Sequence, residues 1–179
     1  MTTATTMAEK IVRLDKVLAR IPHAFGGALA LAYYAEPRAT IDIDLNVFVG
    51  ADRFGQVARP LARLGADVDG AAEVVERDGQ VRVMWERTPL DLFFGYDPFH
   101  EAAGARRRKV PFGDVLIPIL AVEHLIVCKV VFDRPKDWVD IDAVVALDTP
   151  VDVGEVLRWV GRVVGDTDRR YDRIAAALT

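Results

Sequence analysis

The sequence predicts an α/β (or α+β) protein in which strands dominate the first part of the chain and helices the last. Short apolar or alternating segments recur up to about residue 117, whereas apolar residues after Pro118 recur at helical spacing. The 179 residues are 51% hydrophobic and 28% charged, which is typical of a globular chain. We therefore predict an α/β core at residues 1–117, with a mixed β-sheet flanked by helices. A helical part at residues 118–179 is expected to pack on it as one compact unit.

Local patterns define the elements of this core. Helices are expected where apolar residues recur three and four apart or good helix formers cluster, namely at 7–20, 28–35 and 52–64, the last interrupted at Pro60. Strands are expected at 23–25, 41–49, 72–77, 80–87 and 90–94. Asp78-Gly79 predicts a hairpin turn between two of these strands, and Thr88-Pro89 separates the next two.

The remaining elements continue to the end of the chain. A short helix begins at Asp97-Pro98 and ends near Gly104. A hairpin follows, with strands at 106–111 and 114–117 around Phe112-Gly113. The helical part comprises predicted helices at 119–132, 135–147, 153–164 and 168–178.

Composition excludes several classes of protein. The single cysteine, Cys128, excludes an intrachain disulfide framework. The apolar run at 115–122 contains Pro118 and is too short for a membrane span, and the first ten residues lack the apolar core of a signal peptide. We therefore expect a cytoplasmic monomer with no membrane contact. With a net charge of −4, any nucleic-acid contact requires a local basic patch.

Asp42 and Asp44 are the most informative candidates for chemistry. In a strand, residues two apart point to one side, so Thr40, Asp42 and Asp44 share a face while Ile41, Ile43 and Leu45 face the core. Two adjacent carboxylates repel each other unless a cation lies between them, and Mg²⁺ prefers such oxygen ligands. Asp91, alone in an apolar strand, would complete a set of three carboxylates that suits two metal ions.

An Asp-x-Asp pair is more commonly a strand edge that faces water, so its context matters. Gly26-Gly27 lies between a predicted strand and a predicted helix, where the backbone N–H groups of a helix N-terminus can bind phosphate. A glycine pair alone is often a plain turn. A phosphate-binding turn followed by a carboxylate strand is the more specific pattern.

These residues resemble the first motif of the nucleotidyltransferase superfamily, and more closely its AbiEii and MenT-type toxin branch. The resemblance rests on Gly26-Gly27-Ala28-Leu29, an aromatic at Tyr33 or Tyr34, and Arg38-x-Thr40-x-Asp42-x-Asp44. Later segments resemble the lysine helix and the Arg-x-Lys-Asp-x-x-Asp motif of that branch. They are Glu123 to Lys129 and Arg134 to Ile141.

The resemblance implies the nucleotidyltransferase fold and transfer of a nucleotidyl group from a nucleoside triphosphate to a hydroxyl, with magnesium ions at a two-metal site. It implies that Asp42 and Asp44 are catalytic metal ligands, joined by Asp91. Lys129 and Asp140 would also be catalytic. Nucleotide binding would fall to Gly26, Gly27, Arg38, Thr40, Lys129 and Asp137.

In the toxin branch the acceptor is the 3′ end of tRNA, and the added nucleotides, chiefly pyrimidines, block aminoacylation. A cognate antitoxin is then a possible partner. The dense basic run Arg106-Arg107-Arg108-Lys109 is the natural phosphate contact for tRNA, although such a run is usually a plain solvated surface. The first helix could extend it through Lys10, Arg13, Lys16 and Arg20.

Alternatives remain for the later motifs and for the function. Lys129 could extend to the surface from its apolar helix, and acidic residues such as Asp137 are expected in a first helical turn because of the helix dipole. The rival functions are transfer to a small hydroxylated molecule such as an antibiotic, transfer to a protein, and a catalytically inactive binding module. The tryptophans Trp85, Trp138 and Trp159 are expected to be core or rim residues.

Overall fold

The structure is a computed structural model that describes residues 5–179. The chain divides into two compact units. The sheet unit comprises the described residues up to Gly26 together with residues 40–119. The helical unit comprises residues 27–39 and 120–179. It therefore differs from the predicted helical part by including a short segment from near the start of the chain.

All strands of the seven-stranded sheet belong to the sheet unit. They are β1 (His23–Phe25), β2 (Ile43–Val47), β3 (Ala66–Asp67), β4 (Gln80–Trp85), β5 (Thr88–Phe94), β6 (Arg108–Phe112) and β7 (Val115–Ile119). Their spatial order is β3-β4-β5-β2-β1-β7-β6. The pairs β2–β5 and β1–β7 are parallel and the other neighbours are antiparallel, so the predicted mixed sheet is confirmed.

Helices occur in both units. They are α1 (Met7–Val17), α2 (Gly27–Leu31), α3 (Phe54–Arg63), α4 (Ala71–Asp78), α5 (Pro98–Arg106), α6 (Val122–Phe132), α7 (Pro135–Ala146), α8 (Val153–Val164) and α9 (Arg169–Ala177). A capping box opens α1, where the Thr6 hydroxyl accepts from the Glu9 N–H while the Glu9 carboxylate accepts from the Thr6 N–H. The predicted helical C-terminal part is confirmed by α6 to α9.

The core of the sheet unit follows from alternation along its central strands. In β5, Leu90, Leu92 and Phe94 are buried, while the residues between them, Asp91 among them, are half-buried. In β2, Leu45 is buried and its neighbour Asp44 is half-buried. One face of this sheet therefore carries the core, and the other carries the acidic residues.

The predicted strand at 72–77 is wrong, because this segment forms α4. Ala71 and Val75 lie four residues apart and are both buried, so the segment packs with helical rather than alternating periodicity. Gly79 ends the helix in the left-handed conformation, with φ of 68°, and its N–H donates to the carbonyl of Val75. The predicted Asp78-Gly79 hairpin is therefore also wrong.

The turn that joins β4 to β5 lies at Glu86-Arg87, where Glu86 has φ of 54°. Thr88 and Pro89, expected to separate two strands, are the first residues of β5. Ile41 was expected in the core but is 77% exposed, because β2 begins only at Ile43. Pro60 does not interrupt α3, which is continuous from Phe54 to Arg63.

In the helical unit, α6 is buried over most of its surface and packs against α2, α7, α8 and α9. The segment at 27–39 is attached to this unit by hydrogen bonds as well as by packing. The Tyr34 hydroxyl donates to the Leu120 carbonyl at 2.8 Å, and the Thr149 hydroxyl donates to the Tyr34 carbonyl at 2.7 Å. Trp138 and Trp159 are buried here and Trp85 is buried in the sheet unit, which confirms their predicted packing role.

Within residues 5–179, none of the helices combines the length and the apolar character that crossing a membrane would require.

Candidate active site

The strands β2 and β5 bring the predicted metal-binding carboxylates together. Asp44 and Asp91 are register partners in the parallel pair β2–β5, so their side chains lie side by side on the same face. Asp42 precedes Asp44 by two residues and joins them near the start of β2. We call Asp42, Asp44 and Asp91 the acidic cluster. Like charges on neighbouring strands are destabilising, so this arrangement favours a bound cation.

Arg82 supplies that positive charge in the structure. It lies on β4 directly opposite Asp91, and its Nε and one terminal nitrogen each lie 2.7 Å from a different oxygen of the Asp91 carboxylate. The same terminal nitrogen is 3.7 Å from the Asp42 carboxylate. The hydrogen bonds to Asp91, followed by the charges of Asp91, Asp42 and Asp44, raise the pKa of Arg82 above its usual value although burial opposes this.

Thr40 contacts the Asp42 side chain, and Gly26 contacts the backbone of Asp44. The Thr40 hydroxyl donates to the Asp42 carboxylate. The Gly26 N–H donates to the carbonyl of Asp44 at 2.9 Å, which fixes the chain next to the acidic cluster. Gly27 has φ of 51°, a conformation that favours glycine, and it begins the five-residue helix α2 of the helical unit. Phosphate binding by Gly26, Gly27 and Thr40 stays a prediction.

The donor chemistry of the acidic cluster fits magnesium. Asp44 and Asp91 lie side by side on paired strands, Asp42 directly precedes β2, and the Arg82 guanidinium contacts the carboxylates of Asp91 and Asp42. Carboxylate oxygens are the ligands that Mg²⁺ prefers. In the described part of the chain, no group of three or more His, Cys, Asp or Glu side chains is arranged to hold a metal ion. Both oxygens of Asp91 are instead bound to Arg82.

The helical unit contains a second charged cluster, centred on Asp140. Lys129 Nζ lies 2.6 Å from one Asp140 oxygen, and the Arg38 guanidinium contacts both oxygens at 2.8 and 2.9 Å. Lys129 and Asp140 are 5% and 3% exposed. The alternative of a surface lysine at 129 is therefore wrong. The Arg38 side chain remains 39% exposed.

The ion pairs determine the ionisation of Asp140. Burial raises the pKa of this carboxyl, but the hydrogen bonds from Arg38 and Lys129, together with their charges, outweigh burial and hold the pKa below its usual value. Asp140 therefore stays ionised and balances two cations. Its position between Arg38 and Lys129 suits a residue that fixes where those cations lie.

Asp137 has a different set of partners. Its carboxylate accepts from the backbone N–H of Arg134 at 3.1 Å and from the Arg134 side chain at 2.7 and 3.1 Å. This closes the first turn of α7, while Lys129 Nζ lies 3.9 Å away. Asp137 is only 1% exposed. Capping of α7 accounts for this residue in the structure, and its predicted contact with nucleotide stays a prediction.

The basic run at 106–109 spans three kinds of local structure. Arg106 is the last residue of α5, Arg107 follows the helix and donates to the Gly104 carbonyl, and Arg108 and Lys109 begin β6. All four residues are exposed. The expectation that the whole run lies on one strand is wrong, because α5 extends to Arg106. The expected extension of the basic run through Lys10 is also wrong, because Lys10 is 3% exposed and its ammonium is hydrogen-bonded inside the sheet unit.

Sequence reasoning missed Arg82. The pattern that could have found it is the position of the hairpin turn, since a two-residue turn at Glu86-Arg87 places residue 82 opposite residue 91. With the turn placed at Asp78-Gly79 instead, that pairing does not arise. The side-by-side placement of the carboxylates could be predicted from the sequence, whereas Arg82 was missed because the hairpin turn was placed eight residues too early.

Comparisons with known proteins agree on the fold. The solution structure of the antibiotic-resistance factor ANT(2'')-Ia matches with a TM-score of 0.55 and 17% identity, over 96% of this chain and 92% of that one. Its crystal structure with adenylyl-2''-tobramycin matches with a TM-score of 0.53 and 16% identity, over 97% of both chains. A protein from H. pylori assigned as a nucleotidyltransferase matches with a TM-score of 0.51 and 16% identity, over 99% of this chain and 92% of that one.

No protein-family model matches this chain, and no curated protein sequence matches it. The likeness to solved structures therefore concerns the fold. The chain has the mixed sheet, the flanking helices and the helical C-terminal part of the nucleotidyltransferase fold, as predicted. The AbiEii and MenT-type branch stays a prediction.

Proposed function

We propose that this protein is a magnesium-dependent nucleotidyltransferase that uses a nucleoside triphosphate as donor. The observation that carries the proposal is the acidic cluster, whose Asp44 and Asp91 are register partners on the parallel strands β2 and β5 of a nucleotidyltransferase fold. Fixed strands hold the carboxylates in place, as a metal-assisted transfer requires. The shared counter-charge of Arg82 supports the view that this site is built for a cation.

Each residue has a defined part in this chemistry. Asp42, Asp44 and Asp91 would hold the magnesium ions, which when bound activate a hydroxyl and stabilise the charge on the transferred phosphoryl group. Thr40 keeps the Asp42 carboxylate oriented. In the transfer, the acceptor hydroxyl loses its proton to solvent, its oxygen bonds to the α-phosphorus of the triphosphate, and the bond from that phosphorus to the departing pyrophosphate breaks.

The nucleotide contacts predicted for residues of the helical unit rest on the motif resemblance. Arg38 is half-exposed and offers a planar guanidinium, which suits phosphate oxygens. Lys129 and Asp140 are buried beside it, and the predicted phosphate contact of Lys129 is part of this proposal. Asp140 would act as the positioning residue that aims Arg38 and Lys129.

For the acceptor, we propose the 3′ end of tRNA, with pyrimidine nucleotides added so that aminoacylation and translation stop. The protein would then be a toxin whose partner is a cognate antitoxin. The support is the motif resemblance together with the exposed basic run from Arg106 to Lys109, which suits a phosphate backbone. An acidic overall chain can bind RNA through such a local patch.

A small hydroxylated antibiotic is the second candidate acceptor. The observation in its favour is the structural likeness to ANT(2'')-Ia, a resistance factor whose crystal structure contains adenylyl-2''-tobramycin. Aminoglycosides are cationic, so this acceptor would require an acidic binding surface rather than the basic run.

The test is a transfer assay with each labelled nucleoside triphosphate, magnesium, and either total tRNA or an aminoglycoside panel. The proposal expects label on tRNA that is lost with Asp42→Ala and retained with Arg77→Gln, an exposed surface control. Label on an aminoglycoside would move the second candidate ahead. Transfer that survives Asp42→Ala would contradict the assignment of the acidic cluster.

A further inference from the structure

Arg82 makes contacts that conflict with metal binding by Asp91. The Arg82 guanidinium donates to both oxygens of the Asp91 carboxylate at 2.7 Å, so a metal ion bound by Asp91 would share each oxygen with a cation and be repelled by its charge. Within residues 5–179, every hydrogen bond and ion pair of Arg82 is to Asp91 or Asp42. The residue therefore serves the acidic cluster alone.

Arg82 is also able to leave this position. Its side chain is 57% exposed, whereas that of Asp91 is 17% exposed, so the guanidinium approaches the cluster from the solvent side. Asp44 and Asp91 are fixed by paired strands, but the long, exposed arginine side chain can rotate outward while the backbone pairing of β4 with β5 stays in place. Movement of Arg82 would free both oxygens of Asp91.

We propose that Arg82 is an internal counter-ion that occupies the acidic cluster until a divalent cation arrives together with a triphosphate. This inference rests on the proposed function, because it assigns a metal to the same cluster. Free metal then binds weakly, since it has to displace a bidentate ion pair. Metal that arrives with a triphosphate binds better, because the phosphates offer the released guanidinium a new anionic partner.

The way magnesium is bound in proteins supports this coupling. Mg²⁺ is commonly held by one or two carboxylates together with substrate phosphates, rather than by a cage made of protein alone. A cluster of three carboxylates without a counter-charge would bind metal before nucleotide and would strain the sheet when empty. Arg82 removes both effects and makes the metal site depend on the nucleotide.

The test is a titration with Mn²⁺ in the absence of nucleotide, in which free Mn²⁺ is read by electron paramagnetic resonance. Arg82→Gln should bind Mn²⁺ at least about tenfold more tightly than the wild type, since it removes a positive charge that is hydrogen-bonded to Asp91 and lies 3.7 Å from Asp42. Arg77→Gln is the matched control, because Arg77 forms an equally short bidentate pair with Asp78 on the surface. It removes the same unit of charge and should leave Mn²⁺ affinity unchanged.

Two further variants make the result specific. Arg82→Lys keeps the positive charge but loses the bidentate guanidinium contact with Asp91, so its gain in Mn²⁺ affinity should be smaller than that of Arg82→Gln. If Arg82→Gln does not fold, Arg82→Lys serves as the test. Adding Asp91→Asn to Arg82→Gln should remove the gain. With a non-hydrolysable triphosphate present, the wild type should gain more Mn²⁺ affinity than Arg82→Gln does.

The outcomes separate this inference from the proposed function. Equal Mn²⁺ affinity in the wild type, Arg82→Gln and Arg82→Lys would overturn the role of Arg82, even if the wild type transfers nucleotides. A gain in Arg82→Gln that depends on Asp91 would support it, even if no acceptor is ever labelled. Absence of Mn²⁺ binding in every variant, with and without triphosphate, would overturn both.

Discussion

At the scale of single residues, Asp140 balances the charges of the helical unit. It is almost fully buried and contacts both Arg38 and Lys129 through short hydrogen bonds. Removing one partner of a buried ion pair leaves the other charge uncompensated, which is more costly than the pair itself is worth. Substitution of Asp140 and substitution of Lys129 are therefore expected to lower stability by different amounts.

We predict that Asp140→Asn lowers the free energy of unfolding by about 3–5 kcal/mol, because Lys129 loses its closest anion while it remains buried. Lys129→Met should cost less, since Asp140 retains the bidentate contact with Arg38. Chemical denaturation of both variants measures the difference. A larger loss for Lys129→Met than for Asp140→Asn would contradict this account of the cluster.

The lowered pKa of Asp140 predicts a dependence of stability on pH. A carboxyl group whose pKa is depressed in the folded state stabilises the fold above its unfolded pKa, about 3.9, and that contribution is lost as pH falls through the folded value. The wild type should therefore lose stability more steeply than Asp140→Asn below about pH 4. Unfolding curves between pH 3 and 7 test this, and parallel profiles would contradict it.

At the scale of elements, α1 is fastened to the β4–β5 hairpin by Lys10. Its ammonium donates to the Trp85 carbonyl at 3.1 Å and to the Thr88 hydroxyl at 2.9 Å, and it pairs with Glu86 at 2.9 Å. These contacts surround the turn at Glu86-Arg87. The alignment of Arg82 with Asp91 depends on the same turn, so α1 supports the register of the acidic cluster.

We predict that Lys10→Met destabilises the protein by about 1–3 kcal/mol, because the Trp85 carbonyl and Thr88 hydroxyl lose a buried donor. Lys16→Met on the exposed side of the same helix is the matched control and should change stability by no more than about 0.5 kcal/mol. Thermal unfolding of both variants gives the comparison. Equal changes in stability for Lys10→Met and Lys16→Met would show that the buried contacts of Lys10 do not stabilise the fold.

The elements also show what could be predicted from the sequence. Alternation predicted β2 with Asp42 and Asp44 on one side, and Asp91 stood out as a lone charge in an otherwise apolar strand, which is β5. The segment that forms α4 was predicted to be a strand, because its valines favour strands and Asp-Gly favours a hairpin turn. The burial of Ala71 and Val75 on one helical face outweighed both preferences. That error displaced the neighbouring hairpin and concealed Arg82.

At the scale of the whole molecule, the two units are interleaved along the chain. The helical unit takes residues 27–39 from between two strands of the sheet unit and resumes at residue 120. Residues 27–39 are joined to it by pairs separated by about a hundred positions in sequence, such as Arg38 with Asp140. Local patterns carry no information about such pairs, so a contiguous boundary is all that a sequence reading can offer.

Because the chain has a net charge of −4, RNA binding would depend on the local basic run. Each phosphate contact of Arg106, Arg107, Arg108 or Lys109 that is lost to alanine should reduce the slope of log affinity for tRNA against log salt by about 0.7–0.9. Arg108 and Lys109 are neighbours on β6 and point to opposite faces. Of the single variants Arg108→Ala and Lys109→Ala, one should therefore reduce the slope and the other should leave it unchanged. Arg63→Ala on the exposed side of α3 removes the same charge elsewhere and should leave the slope unchanged. Nucleotide affinity, measured in parallel, should stay at the wild-type value in all of them. If no alanine variant alters the slope, the basic run is an ordinary solvated surface, and a small hydroxylated acceptor becomes the better account of the enzyme.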